Sequence, residues 1–147
     1  MKTGFASIVI DAGNTSTTIA LFRGADSSIS ASTAVRGGIS AARGACAIAL
    51  RKAFTQADAF GERVSCAMMA SVTPSVNGSW SRLVREEAGL ELQFVRHDMG
   101  LPFKLEIPRP ETMGADRLAD MAAAALAYGA PALVVDIGTA RSGRAHV

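Results

Sequence analysis

The sequence Ser7-Ile8-Val9-Ile10-Asp11-Ala12-Gly13-Asn14-Thr15-Ser16 predicts a buried strand that ends in a carboxylate and runs into a glycine-containing turn. A similar pattern occurs close to the other end of the chain, at Leu133-Val134-Val135-Asp136-Ile137-Gly138-Thr139-Ala140. In each copy an apolar run is closed by Asp, and a spacer and Gly lead to small residues, mostly with hydroxyl or amide groups. The N–H groups of such a turn suit phosphate oxygens, and the Asp attracts their cation. The two copies predict two turns that hold one Mg-bound polyphosphate between them.

The composition indicates a globular protein that does not bind nucleic acid. The chain has 147 residues, enough for a domain that buries roughly 70% of its extended surface. Hydrophobic residues make up 49% and charged residues 19%, which is not a disordered composition. The formal net charge is only +2 and the basic residues are scattered. With few aromatic residues as well, the sequence carries neither a basic footprint nor a stacking platform for nucleic acid.

The cysteines and the apolar segments indicate the cellular compartment. Cys46 and Cys66 lie in apolar stretches, which predicts small core residues in a reducing compartment. With only two His, a zinc ligand set is lacking. The N-terminus lacks the apolar run of a signal peptide. The Ala-rich residues 118–126 contain Asp120 and are followed by Gly129, so they do not suit a bilayer. We therefore expect a cytoplasmic protein without a membrane partner.

Hydrophobic periodicity predicts an α/β fold in the element order βββ-α-β-α-β-α-β. The first three strands have short connections, which predicts an antiparallel meander. The alternation of helices and strands that follows predicts a mixed sheet with helices packed on its faces. On the fourth strand, alternation places Val64, Cys66, Met68 and Ala70 on one face. The predicted strands are 6–11, 17–22, 28–35, 63–71, 92–95 and a buried 132–136, and the predicted helices are 39–54, 80–88 and 115–128.

Four short blocks follow one another along the chain. They are Asp11-x-Gly13-Asn14-Thr15, Ser71-Val72-Thr73-Pro74, Gly114-Ala115-Asp116-Arg117-Leu118-Ala119 and Asp136-x-Gly138-Thr139-Ala140. From about residue 8 to residue 140 this series resembles type III pantothenate kinase, the actin-like branch of the enzymes that start coenzyme A synthesis. The element order is likewise similar to that of ribonuclease H-like domains in actin-like ATPases and sugar kinases. The resemblance implies a first ribonuclease H-like domain at 1–113, followed at 114–147 by the helix and first strand of a second.

The resemblance also implies a reaction and a set of site residues. The reaction is ATP-dependent phosphorylation of pantothenate to 4'-phosphopantothenate, with Asp11 near the Mg of Mg–ATP and Asp116 as the catalytic base. Asp136 helps to hold a monovalent cation, potassium or ammonium, and Thr139 contacts ATP. Members of the family form homodimers, with the pantothenate pocket near the dimer interface. The implied ATP loop is Asp11, Ala12, Gly13, Asn14, Thr15, Ser16, Thr17 and Thr18, and the implied substrate residues are Ile107, Gly114, Ala115, Asp116 and Arg117.

The chemistry of the third block agrees with these roles. Asp116 falls in the first turn of a predicted helix, where exposed N–H dipoles stabilise a carboxylate. An ionised Asp that faces an alcohol takes its proton as the oxygen attacks the γ-phosphate. Arg117 suits an anionic substrate. At position 107 the family usually has Tyr, and Ile107 keeps an apolar contact there but lacks the hydroxyl.

Several alternatives stay open. Taken alone, Gly-Asn is an ordinary turn sequence and Asp-Arg an ordinary start of a helix. If these motifs have no catalytic role, the chain is a non-catalytic regulatory or binding module with this fold, or a fragment of another actin-like sugar kinase or ATPase. A P-loop kinase is excluded because no Gly-x4-Gly-Lys occurs. Since the sequence stops soon after the last block, we expect a truncated or frameshifted product with little kinase activity by itself.

Overall fold

The structure, a computed structural model, describes residues 4–13, 15–24 and 28–135. Internal contacts divide the chain into two compact units, Met1–Val95 and Arg96–Val147, and each is described by itself. The domain limits predicted from the sequence, 1–113 and 114–147, stay a prediction. The elements are β1 (Gly4–Ala12), β2 (Ser16–Arg23), β3 (Ser28–Arg36), α1 (Gly38–Ala59), β4 (Glu62–Ser71), a 3-10 turn (Pro74–Val76), α2 (Asn77–Ala88), β5 (Leu92–Phe94), a second 3-10 turn (Pro110–Thr112) and α3 (Ala115–Tyr128).

A five-stranded mixed sheet in the order β3-β2-β1-β4-β5 forms the frame of the first unit. β1, β2 and β3 pair antiparallel, which confirms the predicted meander. β4 pairs in parallel with β1, and β5 in parallel with β4. The element order βββαβαβα and the mixed α/β sheet are those predicted from the sequence. Because β1 and β4 run in parallel, their carboxyl ends lie side by side at one edge of the sheet.

The core lies between this sheet and α1 and α2. On β1 the even-numbered residues from Ala6 to Ala12 are buried, and Ile8 and Ile10 are at most 1% exposed. They share one hydrophobic cluster with Leu50 of α1 and Trp80 of α2. Cys46 belongs to the same cluster, and burial raises the pKa of its thiol. Cys46 is therefore the small core residue that the sequence predicts.

The alternation of side chains along β4 differs from the prediction. A β-bulge interrupts its pairing with β1, because Ala6 lies opposite Val64 whereas Ser7 lies opposite Cys66. The extra residue, Ser65, reverses the alternation of side chains after it. The fully buried residues of β4 are consequently Ala67 and Met69, while Cys66 and Met68 are only half-buried. Val64 is therefore separated from the other three, and the predicted single face holds for Cys66, Met68 and Ala70 only.

Ion pairs join α1 to α2 across the surface of the first unit. Arg51 donates Nε and Nη2 to the two carboxylate oxygens of Glu87, at 2.6 and 2.8 Å. Arg43 donates a single hydrogen bond, from Nη2, to Oε2 of Glu86. The hydrogen bonds from Arg51 lower the pKa of Glu87 below its ordinary value of 4.5.

Glu87 should make the stability of the first unit depend on pH. A lowered carboxyl pKa contributes stability above the ordinary value of 4.5, and that contribution is lost as the pH falls through the lowered pKa. We expect Glu87→Gln to reduce the free energy of unfolding more at about pH 7 than at about pH 3. Urea unfolding of both proteins at the two pH values measures this. A difference that is equally large at the lower pH would contradict the prediction.

Gly44 occupies an exposed position inside α1. A Cβ added there meets no atom within 4 Å, and the backbone does not adopt a left-handed conformation. We expect Gly44→Ala to raise the free energy of unfolding by about 0.5–1 kcal/mol, because Ala has the higher helix propensity. Gly37→Ala is the contrasting variant and should lower the free energy of unfolding. Gly37 precedes the helix with φ 86°, and Ala is strained in that conformation. Urea unfolding in which Gly44→Ala is neutral or destabilising would show the prediction to be wrong.

The described residues of the second unit contain the α-helix α3 and a segment that was expected to be a strand. Residues 132–135 adopt no strand, and Leu133 and Val135 are 83% and 71% exposed. The predicted buried strand 132–136 is therefore not formed in its described part. A strand needs a neighbour for its N–H and C=O groups, and no strand among the described residues pairs with it. Asp136 lies outside the described residues.

In the part of the chain that the structure describes, no helix is both long and apolar enough to span a bilayer.

Candidate functional site

The hairpin between β1 and β2 carries the predicted ATP loop. The N–H of Gly13 donates to the carbonyl of Ser16 at 3.0 Å, and the N–H of Gly37 donates to the carbonyl of Thr15 at 3.1 Å. A Cβ on Gly13 would stand 3.3 Å from the same Ser16 oxygen, so this tight turn favours a glycine. Because the Gly13 N–H is used within the turn, phosphate contacts must come from other groups of the loop. The contact of Gly37 with the loop was not predicted from the sequence.

The side chains of the hairpin divide between solvent and core. Asp11 is exposed at the carboxyl end of β1 and lies opposite Thr18, which is half-buried. Thr15 and Ser16 are also exposed. These positions are open to a ligand at the end of the strand.

Two residues of the predicted ATP loop are instead buried. Ala12 is 3% and Thr17 1% exposed, and Thr17 lies on the core side of β2 with Ile19 and Leu21. The Thr17 hydroxyl makes no hydrogen bond with any described residue. Any contact of Ala12 or Thr17 with ATP in this arrangement is therefore through the backbone. Asn14 lies outside the described residues, and the ATP-binding roles of the loop stay predictions.

The second block, Ser71-Val72-Thr73-Pro74, lies directly beside this hairpin. The N–H of Val72 donates to the carbonyl of Ala12 at 3.3 Å. The Ser71 hydroxyl contacts both the N–H and the carbonyl of Thr73 at 3.3 Å, which turns the chain away after β4. The parallel pairing of β1 and β4 thus brings two of the four sequence blocks together. In sheets of this kind, ligands bind outside the carboxyl ends of the strands.

The third block forms the start of α3 in the second unit. Gly114 is the N-cap residue of the helix, and no side chain caps the helix from that position. Asp116 lies in the first turn, and its Oδ1 accepts the N–H of Arg117 at 2.9 Å. Asp116 and Arg117 are both half-buried. The Asp116 carboxylate is therefore held against the positive end of the helix, which stabilises its charge.

The remaining predicted substrate residues lie in the same unit. Ala115 is half-buried in the first turn of α3, and Ile107 is half-buried in the connector before it. Between them a 3-10 turn is closed by Thr112, whose N–H and hydroxyl both donate to the carbonyl of Arg109. Ile107, Ala115, Asp116 and Arg117 therefore share one unit, and their substrate roles stay predictions.

The predicted cation sites rest on few described residues. Within residues 4–13, 15–24 and 28–135, no three His, Cys, Asp or Glu side chains are grouped so that they could hold a metal ion. Asp136 and Thr139, which were predicted to bind a monovalent cation and ATP, lie outside the described residues. Asp11 is thus the described residue to which the Mg prediction applies.

Comparison with known proteins agrees with this arrangement of blocks. The family model for type III pantothenate kinase matches residues 7–143. A protein named type III pantothenate kinase from Chlorobaculum tepidum is 34% identical over 135 residues, which are 90% of this chain and 47% of that protein. One from Solibacter usitatus is 28% identical over 139 residues, 90% of this chain and 50% of that protein. One from Thermomicrobium roseum is 40% identical over 81 residues, 54% of this chain and 30% of that protein.

The family match spans the hairpin at residues 11–18, the Ser71 block and the start of α3. The chain covers about half the length of the two relatives that it matches over 90% of its own residues. Because the family model matches far more than half of the sequence, the chain belongs to the type III pantothenate kinase family.

Proposed function

We propose that this protein transfers the γ-phosphoryl group of ATP to a hydroxyl of pantothenate, which gives 4'-phosphopantothenate and ADP. This is the first step of coenzyme A biosynthesis. The observation that carries the proposal is the family match over residues 7–143, which includes both the Asp11 hairpin and the Asp116 helix start. In the reaction, the hydroxyl oxygen forms a bond to the γ-phosphorus and the bond from that phosphorus to the β,γ-bridging oxygen breaks.

ATP is assigned to the hairpin between β1 and β2. The support is an exposed carboxylate, Asp11, next to exposed Thr15 and Ser16 and to a glycine whose missing side chain lets the turn close tightly. Mg²⁺ commonly keeps several waters and takes one or two carboxylates together with substrate phosphates. A single carboxylate at this edge therefore fits Mg–ATP. The ion would neutralise charge on the phosphate oxygens, while the hairpin orients the phosphate chain.

Asp116 is assigned as the general base. Its Oδ1 is engaged by the N–H of Arg117, and Oδ2 forms no hydrogen bond with the described residues, so Oδ2 is the oxygen that takes the proton of the hydroxyl. Arg117, whose guanidinium forms no ion pair within the described residues, suits the pantothenate carboxylate. We further propose a monovalent cation held with Asp136, a homodimer and a cytoplasmic location, all of which the resemblance implies.

The test is an assay with labelled ATP, Mg²⁺ and potassium in which pantothenate and a set of sugars are offered as acceptors. We expect label to enter 4'-phosphopantothenate, and the Asp116→Asn variant provides the background rate. Transfer to a sugar instead would favour the actin-like sugar kinase alternative. Binding of ATP with no transfer above the variant's background would favour a non-catalytic module. The expectation of slow turnover by residues 1–147 alone stays a prediction that the same assay tests.

A further inference from the structure

Gly114 has no conformational reason to be a glycine. Its backbone angles are φ −62° and ψ 141°, an extended conformation that every residue, proline included, adopts readily. As the N-cap residue of α3 it supplies no side-chain oxygen, whereas Ser, Thr, Asp or Asn would supply one and are preferred there. The effect of a side chain at this position therefore depends on what lies next to it.

The neighbour that excludes a side chain at position 114 is the carboxylate of Asp116. A Cβ built on Gly114 would overlap Oδ1 of Asp116, whereas at Gly100, in the same unit, a Cβ meets no atom within 4 Å. The overlapped oxygen is the one that accepts the N–H of Arg117 at 2.9 Å. The carboxylate therefore lies back over the bare backbone of Gly114 to make this bond.

We propose that Gly114 is a positioning residue for Asp116. Its missing side chain leaves the space in which Oδ1 is fixed by the Arg117 N–H, and this fixes the direction of Oδ2. Any side chain at position 114 drives Asp116 into another rotamer, in which the bond to Arg117 is lost. The consequence for catalysis rests on the proposed function, in which Oδ2 takes the proton of the substrate hydroxyl. The geometry itself does not depend on that function.

The geometry is tested by NMR on the ¹⁵N-labelled chain, through the amide of Arg117. An amide bonded to a carboxylate changes its chemical shift when that carboxylate is protonated. We expect the wild-type Arg117 amide to shift on acidification, and the shift to be lost in Gly114→Ala and Gly114→Ser. Gly100→Ala, which adds the same methyl group in open space, should keep it. Gly114→Ser separates positioning from folding, because its hydroxyl can cap the helix while its Cβ still displaces Asp116.

The possible outcomes distinguish a failure of the positioning role of Gly114 from a failure of the proposed function. A pH-dependent Arg117 amide that survives in both Gly114 variants, or that is absent from the wild type, overturns the proposal. In the pantothenate assay, we expect Gly114→Ala to lower kcat by about 10–100-fold, since a small misplacement of a reacting group is costly. The KM for pantothenate should change by a smaller factor than kcat, because the added methyl group moves the base more than the groups that bind the substrate. An unchanged kcat with a lost amide signature would overturn the positioning role, whereas no phosphoryl transfer by the wild type would count against the proposed function.

Discussion

Replacing Asp116 by Asn is expected to lower kcat for pantothenate phosphorylation by about 10²–10⁴-fold, the range that one general base contributes. Asn has the shape of Asp and keeps an oxygen that accepts the Arg117 N–H, so the start of α3 should be preserved. What the variant loses is the basic oxygen that we propose takes the hydroxyl proton. The charge at the helix terminus is lost as well, which costs less than about 1 kcal/mol of stability.

Asp120→Asn is the matched control for this experiment. Asp120 lies one turn further along α3 and is exposed, so its replacement removes the same charge from the same helix. We expect its kcat to stay within about twofold of wild type, because a group outside the reacting atoms changes the barrier little. Circular dichroism and urea unfolding of both variants check that the fold is retained. If Asp116→Asn and Asp120→Asn have equal kcat values, Asp116 is not the base.

The first part of the fold could be predicted because its signals are local. A continuous apolar run marks β1, alternating residues mark β2, and the Gly13-Asn14 pair marks the turn between them, so the meander follows from sequence alone. The long apolar stripe of α1 is equally local. These patterns are set within each segment and do not depend on a partner.

The face of β4 could not be predicted in the same way. The bulge at Ser65 exists only in relation to β1, because it is an extra residue opposite the Ala6–Ser7 step. A period-two pattern in one strand contains no information on the register of its neighbour. The same limit applies to residues 132–135, whose apolar sequence suits a strand but which have no partner among the described strands.

The candidate site was predicted in its residue types and only partly in its geometry. Asp11 and Asp116 are where the motifs put them, at a strand end and in a first helical turn. The burial of Thr17 was not foreseen, since alternation places it with Ile19 and Leu21 without saying which face is the core. Nor could the overlap between Gly114 and Asp116 be foreseen, because it depends on the rotamer of the carboxylate.

A buried carboxylate fixes the opposite end of the sheet from the hairpin. Glu62, at the start of β4, is 3% exposed and accepts the Nε of Arg23, at the end of β2, at 2.9 Å. Its side chain passes over β1 at Gly4, where a Cβ would stand 3.0 Å from its Cγ. The Arg23 guanidinium also lies 4.7 Å from the centre of the Phe60 ring. One ion pair thus joins two strands that are not neighbours, across the strand between them.

Removing Arg23 alone should destabilise the first unit strongly. Arg23→Met leaves Glu62 buried without this cation, and its Oε2 already has no hydrogen-bond partner among the described residues. Breaking a buried pair costs 3–5 kcal/mol, and we expect roughly 3 kcal/mol because Arg23 is 26% exposed and solvent relieves part of the cost. Urea unfolding followed by circular dichroism measures the loss.

The double variant Arg23→Met, Glu62→Met should recover most of this loss, since no buried charge remains and two apolar side chains can pack in its place. Arg63→Met is the control, because Arg63 is the next residue on β4, is exposed and forms no ion pair with the described residues. Its effect should stay within about 0.5 kcal/mol. Recovery in the double variant shows that the loss in Arg23→Met comes from an unpaired charge and not from lost packing. A double variant as unstable as Arg23→Met would contradict this account and place the energy in the contacts of the Arg23 side chain itself.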